Sequence, residues 1–252
     1  MTVYDDINKW RTDRLLLPPL GFVPTMGALH AGHLRLVDES RAHNAETVVS
    51  LFVNPTQFDD PQDLRAYPQD LEGDLRLLEE AGVEHVLTPR AEAMYPQGYR
   101  YKVTETEDSR RLCGAHRAGH FEGMLTVVLK LLLLVRPQRA YFGEKDFQQL
   151  RLVQGMVADF FVDTEIVPVP IVREADGLAM SSRNARLSPE ARTQAALFPR
   201  LLATPGTAEQ VKESLIQAGF EVDYVEDWQG RRLAAVRVAS KGGSVRLIDN
   251  LS

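Results

Sequence analysis

Leu20-Gly21-Phe22-Val23-Pro24-Thr25-Met26-Gly27-Ala28-Leu29-His30-Ala31-Gly32-His33 passes from a short apolar run, through a glycine turn, into a helical pattern. Residues 20–24 read as a strand, and residues 30–44 as a helix with Leu34 and Val37 on one face. The same alternation continues outward. Residues 46–53, 83–87, 139–142 and 164–172 read as strands, and 64–81, 123–135 and 145–160 as helices. Strand and helix in turn at this spacing predict an α/β fold: a parallel sheet covered on both faces, with ligands beyond the carboxyl ends of its strands.

After about residue 173 the pattern changes. Ser188-Pro189 opens a helix, and Thr207 with Gln210 has capping-box spacing ahead of 211–218. Residues 221–226, 234–239 and 244–248, divided by Gln229-Gly230 and Gly242-Gly243, predict an antiparallel meander. The chain therefore divides into a larger domain, 1–172, and a smaller α+β C-terminal domain, 173–252.

Composition narrows the function classes. The 252 residues are 44% hydrophobic and 25% charged, an ordinary globular balance. A net charge of −6 disfavours a general nucleic-acid or membrane-surface binder. Cys113 is the only cysteine, so no internal disulfide forms, which suits a cytoplasmic protein. It reads as a packing residue rather than a nucleophile. Residues 124–135 are interrupted by Lys130 and are too short to span a bilayer.

Four segments lie just past expected strands. The first is the opening stretch. Gly27 and Gly32 permit close backbone approach, the helix start offers unpaired amides, and His30 and His33 share a face and can donate to phosphoryl oxygens. Two histidines are too few ligands for zinc, and no metal site is expected. The second is Asn54-Pro55-Thr56-Gln57-Phe58. The third is Gly143-Glu144-Lys145-Asp146, followed by Gln148 and Gln149; Lys145 can reach a phosphate, and an acid here can cap the helix or help hold Mg²⁺ through water. The fourth is Met180-Ser181-Ser182-Arg183-Asn184, two hydroxyls beside a permanent cation. Arg117 and His120 precede another helix. Each segment alone is equally an ordinary surface feature. Their common position at strand ends is what points to a triphosphate site.

These strings, with Gly119-His120-Phe121-Glu122-Gly123 and Asp176-Gly177-Leu178-Ala179-Met180, resemble the pantothenate synthetase family of the His-x-Gly-His nucleotidyltransferases. The resemblance covers roughly residues 20–190 strongly and Arg246-Leu247-Ile248-Asp249-Asn250 more loosely. It implies a Rossmann-like doubly wound sheet with a C-terminal lid, a homodimer, and Mg²⁺ used with ATP. It also implies a two-step reaction in which (R)-pantoate is activated as an adenylate and then captured by beta-alanine. Carried over by position, His30, His33, Lys145 and Arg183 are catalytic, with His33 at the proton-donor position. Met26, Gly27, Gly32, Gly143, Glu144, Asp146, Val172, Met180, Ser181 and Ser182 join them along ATP. Gln57, Gln149, Asn54 and Arg117 serve pantoate and beta-alanine. Two other readings stay open: a nucleotidyltransferase with a phosphorylated acceptor, and a non-catalytic nucleotide-binding module.

Overall fold

The computed structural model describes residues 1–241 and 243–252, so Gly242 of the expected Gly242-Gly243 turn lies outside the described residues. The chain forms two compact units, Met1–Glu144 with Gln148–Val169, and Lys145–Phe147 with Pro170–Ser252.

The first unit is built on six strands, β1 (Thr2–Tyr4), β2 (Leu20–Thr25), β3 (Glu46–Leu51), β4 (His85–Leu87), β5 (Arg139–Gly143) and β6 (Glu165–Val169). They lie in the order β1-β4-β3-β2-β5-β6, and every pair is parallel. Phe22 and Val23 are both fully buried. Neighbours on a strand point to opposite faces, so both faces of the sheet are covered at β2. One face holds Val23, Val49 and Val86 against Leu36, Val37 and Leu78 from the helices Ala31–His43 and Leu71–Glu80.

The strand order reverses at β2. From β2 the chain moves outward to β3 and β4, then returns to the other side of β2 as β5 and β6. The β2–β3 ladder runs to Thr25↔Leu51, but the β2–β5 ladder stops at Phe22↔Ala140. Pro24 lies two residues further on and has no N–H to donate. The carboxyl ends of β2 and β5 are therefore left unlaced at the switch point, where open α/β sheets bind ligands.

Several expectations change. Residues 64–81 do not form one helix: Pro61–Arg65 and Leu71–Glu80 are separate. Pro68 cannot continue the first, and the Asp70 carboxylate caps the second by accepting from Gly73 N at 3.0 Å. The helix expected from residue 145 starts as a 3₁₀ turn, Glu144–Asp146, and becomes α at Phe147. The strand expected to reach 172 ends at Val169, before Pro170. β1 and the helix Ile7–Asp13 have no counterpart among the elements expected from the sequence; Trp10 anchors that helix, fully buried, by donating Nε1–H to Leu134 O at 3.0 Å.

The second unit carries the expected meander, β7 (Glu221–Trp228), β8 (Arg231–Ser240) and β9 (Gly243–Leu251), paired antiparallel in that order. Phe198, Leu215, Ala234 and Val236 centre its core. The Thr207–Gln210 capping box forms as expected, with bonds of 3.3 and 2.9 Å. Arg173 grips the fully buried Asp249 carboxylate through two nitrogens at 2.7 and 2.9 Å. Asp249→Ala should destabilise this unit by about 2–3 kcal/mol, less than the roughly 3–5 typical of a fully buried pair, because the Arg173 left behind is partly exposed. Urea denaturation reads this directly, and an unchanged midpoint would contradict it.

Candidate active site

In the first unit the site begins where β2 ends. Thr25 Oγ1 donates to Ser50 O at 2.8 Å and accepts from Gly27 N at 3.1 Å. Gly27 and Ala28 then take positive φ of 79° and 50°. This left-handed turn is closed from outside by Asp74, on the helix Leu71–Glu80. Its two oxygens accept from Ala28 N at 2.8 Å and Leu29 N at 2.7 Å. Burial raises the Asp74 carboxyl above the usual carboxylate range, and the two amides oppose that rise. A Cβ on Gly27 would sit 2.8 Å from Asp74 Oδ2, so only glycine fits.

His30 is the N-cap of the helix Ala31–His43 rather than a residue on it. Its Nδ1 accepts from Gly32 N at 3.1 Å, and His33 Nδ1 accepts from His30 N at 3.4 Å, a reciprocal capping box. This corrects the expectation of unpaired amides at the helix start, because the Gly32 amide is taken by His30. It also sets the chemistry of the imidazoles. Each Nδ1 is an acceptor, so each neutral ring carries its proton on Nε2. The rings stack with centroids 4.0 Å apart. Sequence spacing brought the two histidines together, but only the capping box fixes their tautomer.

Past β3, the buried Asn54 donates to Gln57 Oε1 at 3.1 Å and to Gly123 O at 3.2 Å. It accepts from Tyr95 OH at 2.7 Å. With Oε1 held, the Gln57 amide turns its nitrogen toward Met26 Sδ, 3.0 Å away. A thioether is a weak acceptor, and an amide nitrogen has two N–H groups, so Gln57 retains donor capacity next to Met26. Arg117 donates Nε–H to Asp59 at 3.0 Å, and its NH1 lies 3.0 Å from His120 Nε2. A guanidinium can only donate, so His120 carries its proton on Nδ1 and donates it to Gln57 O at 2.8 Å. Arg117 and Asn54 thus brace Gln57. Asp74 and Tyr95 are the supports that sequence reading missed; their partners lie tens of residues away in the chain, and no local pattern marks them.

Gly143 ends β5, beside β2, and Glu144 follows it. On the helix after them Gln148 is committed to structure: it accepts from Cys113 N at 3.0 Å and donates to Asp108 O and Arg111 O, both at 2.8 Å. Cys113 itself is buried, in keeping with a packing role.

Gln149, next to Gln148, is half-buried and also in the first unit, and the remaining expected residues lie in the second. Lys145 Nζ is 3.7 Å from Asp146 Oδ2, and Asn250 Nδ2 donates to Lys145 O at 3.1 Å. Met180 N donates to Val172 O at 2.9 Å, which joins those two positions. Ser181 caps the 3₁₀ turn Ser182–Arg186, its Oγ accepting from Arg183 N at 3.3 Å. Asn184 secures this turn by donating to Glu174 and to Ala179 O, and Arg192 holds Glu174 in turn. Among the described residues no group of three or more His, Cys, Asp or Glu is placed to hold a metal ion.

The chain matches the model of the family described as pantoate-beta-alanine ligase over residues 2–252. It is 56% identical to a pantothenate synthetase of Bdellovibrio bacteriovorus, over 98% of this chain and 96% of that one. The crystal structure of the Francisella tularensis pantoate-beta-alanine ligase, complexed with beta-gamma ATP and beta-alanine, superimposes with a TM-score of 0.93 at 36% identity, covering 100% of this chain and 97% of that one. The pantothenate synthetase of Thermus thermophilus gives 0.89 at 42% identity, covering 100% and 99%. A family match that spans the chain, on a sheet whose switch point carries the stacked imidazoles, makes this protein a member of the pantoate-beta-alanine ligase family, an enzyme that joins pantoate to beta-alanine.

Proposed function

We propose that the ligation proceeds in two steps and consumes one ATP, in the first of them. The pantoate carboxylate attacks the α-phosphorus of ATP, releasing diphosphate and forming pantoyl adenylate. The beta-alanine amine then attacks the acyl carbon, giving pantothenate and AMP. The observation that carries this reading is the imidazole pair beside the β2–β5 crevice, each ring accepting a backbone N–H at Nδ1, which leaves Nε2 as the donor of a neutral ring. Neutral N–H donors are suited to phosphoryl oxygens and to the charge that grows as diphosphate leaves. His33 need not transfer a proton, because hydrogen bonding suffices for a good leaving group.

Bringing a carboxylate to a phosphate joins two anions. Lys145 and Arg183, with the Ser181 and Ser182 hydroxyls, are proposed to offset that repulsion. Met26, Gly27, Gly32, Gly143, Glu144, Asp146, Val172 and Met180 are proposed to line the nucleotide. Gln57 and Gln149 are proposed to hold pantoate. Gln57 is supported by its braced amide, and Gln149 by being half-buried next to the fully committed Gln148. Mg²⁺ usually binds through substrate phosphates and one or two carboxylates rather than a protein cage. Glu144 and Asp146 are proposed to contribute such carboxylates, and the ion would supply further charge neutralisation.

Residues 1–172 are proposed as the nucleotide- and pantoate-binding domain and 173–252, which have a core of their own, as a lid. A homodimer is proposed on the family resemblance. A cytoplasmic location is supported by the single buried cysteine; separately, no helix among the described residues is long and apolar enough to cross a membrane.

The test is exchange of labelled diphosphate into ATP with pantoate present and beta-alanine absent. The two-step reading requires exchange under those conditions, and AMP formation on adding beta-alanine. Exchange only when both organic substrates are present would overturn it, and a dinucleotide product would favour an adenylyltransferase. Gln149→Ala should raise the pantoate KM about 10–100-fold, the cost of one hydrogen bond to a charged group, with ATP KM unchanged. An unaltered pantoate KM would remove Gln149 from the pocket.

A further inference from the structure

Asp74 lies 46 residues from the turn it closes. Only 4% of it is exposed, so this is not a solvated surface contact. Successive backbone amides in a turn of this kind form a concavity that attracts anions. Here the concavity formed by Ala28 and Leu29 is filled from within, by a carboxylate of the same chain. The turn needs such an anchor. Ala28 has φ of 50°, in the left-handed region that is unfavourable for a residue with a Cβ. Locally Thr25 Oγ1 holds the Gly27 amide at 3.1 Å, whereas the Ala28 and Leu29 amides are held by Asp74. The anchored amide of Leu29 precedes His30, whose own N–H meets His33 Nδ1 and whose Nδ1 meets Gly32 N.

We propose that Asp74 is a positioning residue for the ligation: its carboxylate locks the turn after β2, and the locked turn delivers His30 and His33 as a stacked pair with both protons on Nε2. This rests on the reading of those imidazoles as phosphate donors. The Asp74 carboxylate accepts from the Ala28 and Leu29 amides, just ahead of His30. It acts through the backbone, by fixing the peptide orientation from which the capping box grows. Asparagine in its place is nearly isosteric but sets an NH₂ group against one of the two amide donors. The lock would then face a donor–donor clash at one of its two bonds.

The experiment compares Asp74→Asn and Asp74→Glu with the parent enzyme, by steady-state kinetics, thermal unfolding and ¹⁵N shifts of the His30 and His33 rings. Asp74→Asn should lower kcat about 10²-fold, as loss of an oriented charge-stabilising donor does, with pantoate KM within about threefold of the parent. At a temperature where the variant remains folded, the two Nδ1 signals should move from the unprotonated position toward a mixture of tautomers. Asp74→Glu keeps both acceptor oxygens and should recover at least about tenfold of the lost rate along with the parent ring shifts. Should Asp74→Asn fail to fold, the glutamate variant alone decides, by whether rate and ring shifts stay together. Reduced rate with parent-like ring shifts, or parent-like rate with altered shifts, would overturn the proposal. His33→Ala, measured alongside, separates the two levels. A wild-type rate there defeats the donor reading, whereas a slow His33→Ala beside an unaffected Asp74→Asn defeats only the positioning role.

Discussion

His33→Ala should lower kcat about 10²–10³-fold, the usual penalty for removing one preorganised donor from a site where negative charge builds up. The change has two physical parts. One is the lost Nε2–H. The other is the capping box, because His33 Nδ1 accepts from His30 N at 3.4 Å and a methyl side chain offers no acceptor there. A lost cap costs about 1 kcal/mol and lowers stability rather than rate. His33→Gln distinguishes the two, since glutamine is an ordinary partner at the third helical position of a capping box. It should restore most of the melting temperature while kcat stays at least about tenfold below wild type. Full recovery of the rate in His33→Gln, or a wild-type rate in His33→Ala, would show that the ring serves only the helix start.

Gly123→Ala should both destabilise the protein, by about 3 kcal/mol, and impair pantoate use. The helix His120–Val135 begins against the 3₁₀ turn Pro55–Gln57. A Cβ on Gly123 would lie 2.3 Å from Thr56 O and 2.7 Å from Gln57 Cα, and neither is a side chain that can swing aside. The helix must retreat or the turn must move, and overpacking of this kind costs typically about 1–3 kcal/mol. The upper end applies because the obstacle is backbone. Displacing the turn also displaces Gln57 and stretches the bond from Asn54 to Gly123 O. The expected result is a lower denaturation midpoint together with a pantoate KM raised by about tenfold or more. A folded variant of parental stability and parental KM would mean that this close packing does not set the pocket.

The parallel sheet, its strand ends and the later meander were legible because they depend on local composition. Apolar runs bounded by glycine or proline mark strands, and a residue's neighbours suffice to identify them. The failures were equally physical. Residues 64–81 keep helical apolar spacing through Pro68 and Asp70, so periodicity alone carried the reading across a break that proline geometry enforces. β1 is three residues long, and its pairing with β4 involves residues 85–87, too distant for any window to register.

The site divides in the same way. The order of residues along the chain was enough to place chemistry at the strand ends: two histidines three apart, an asparagine before a proline turn, a lysine after a glycine, two serines before an arginine. It also carried the resemblance to the family. How those groups are held became clear only in the folded chain. Asp74 closes the turn from 46 residues away, His120 and Asn54 brace Gln57, and the capping box assigns each imidazole its proton. Residue identity is a local property of the chain, whereas orientation, burial and tautomer are set by partners that only folding brings within hydrogen-bonding distance.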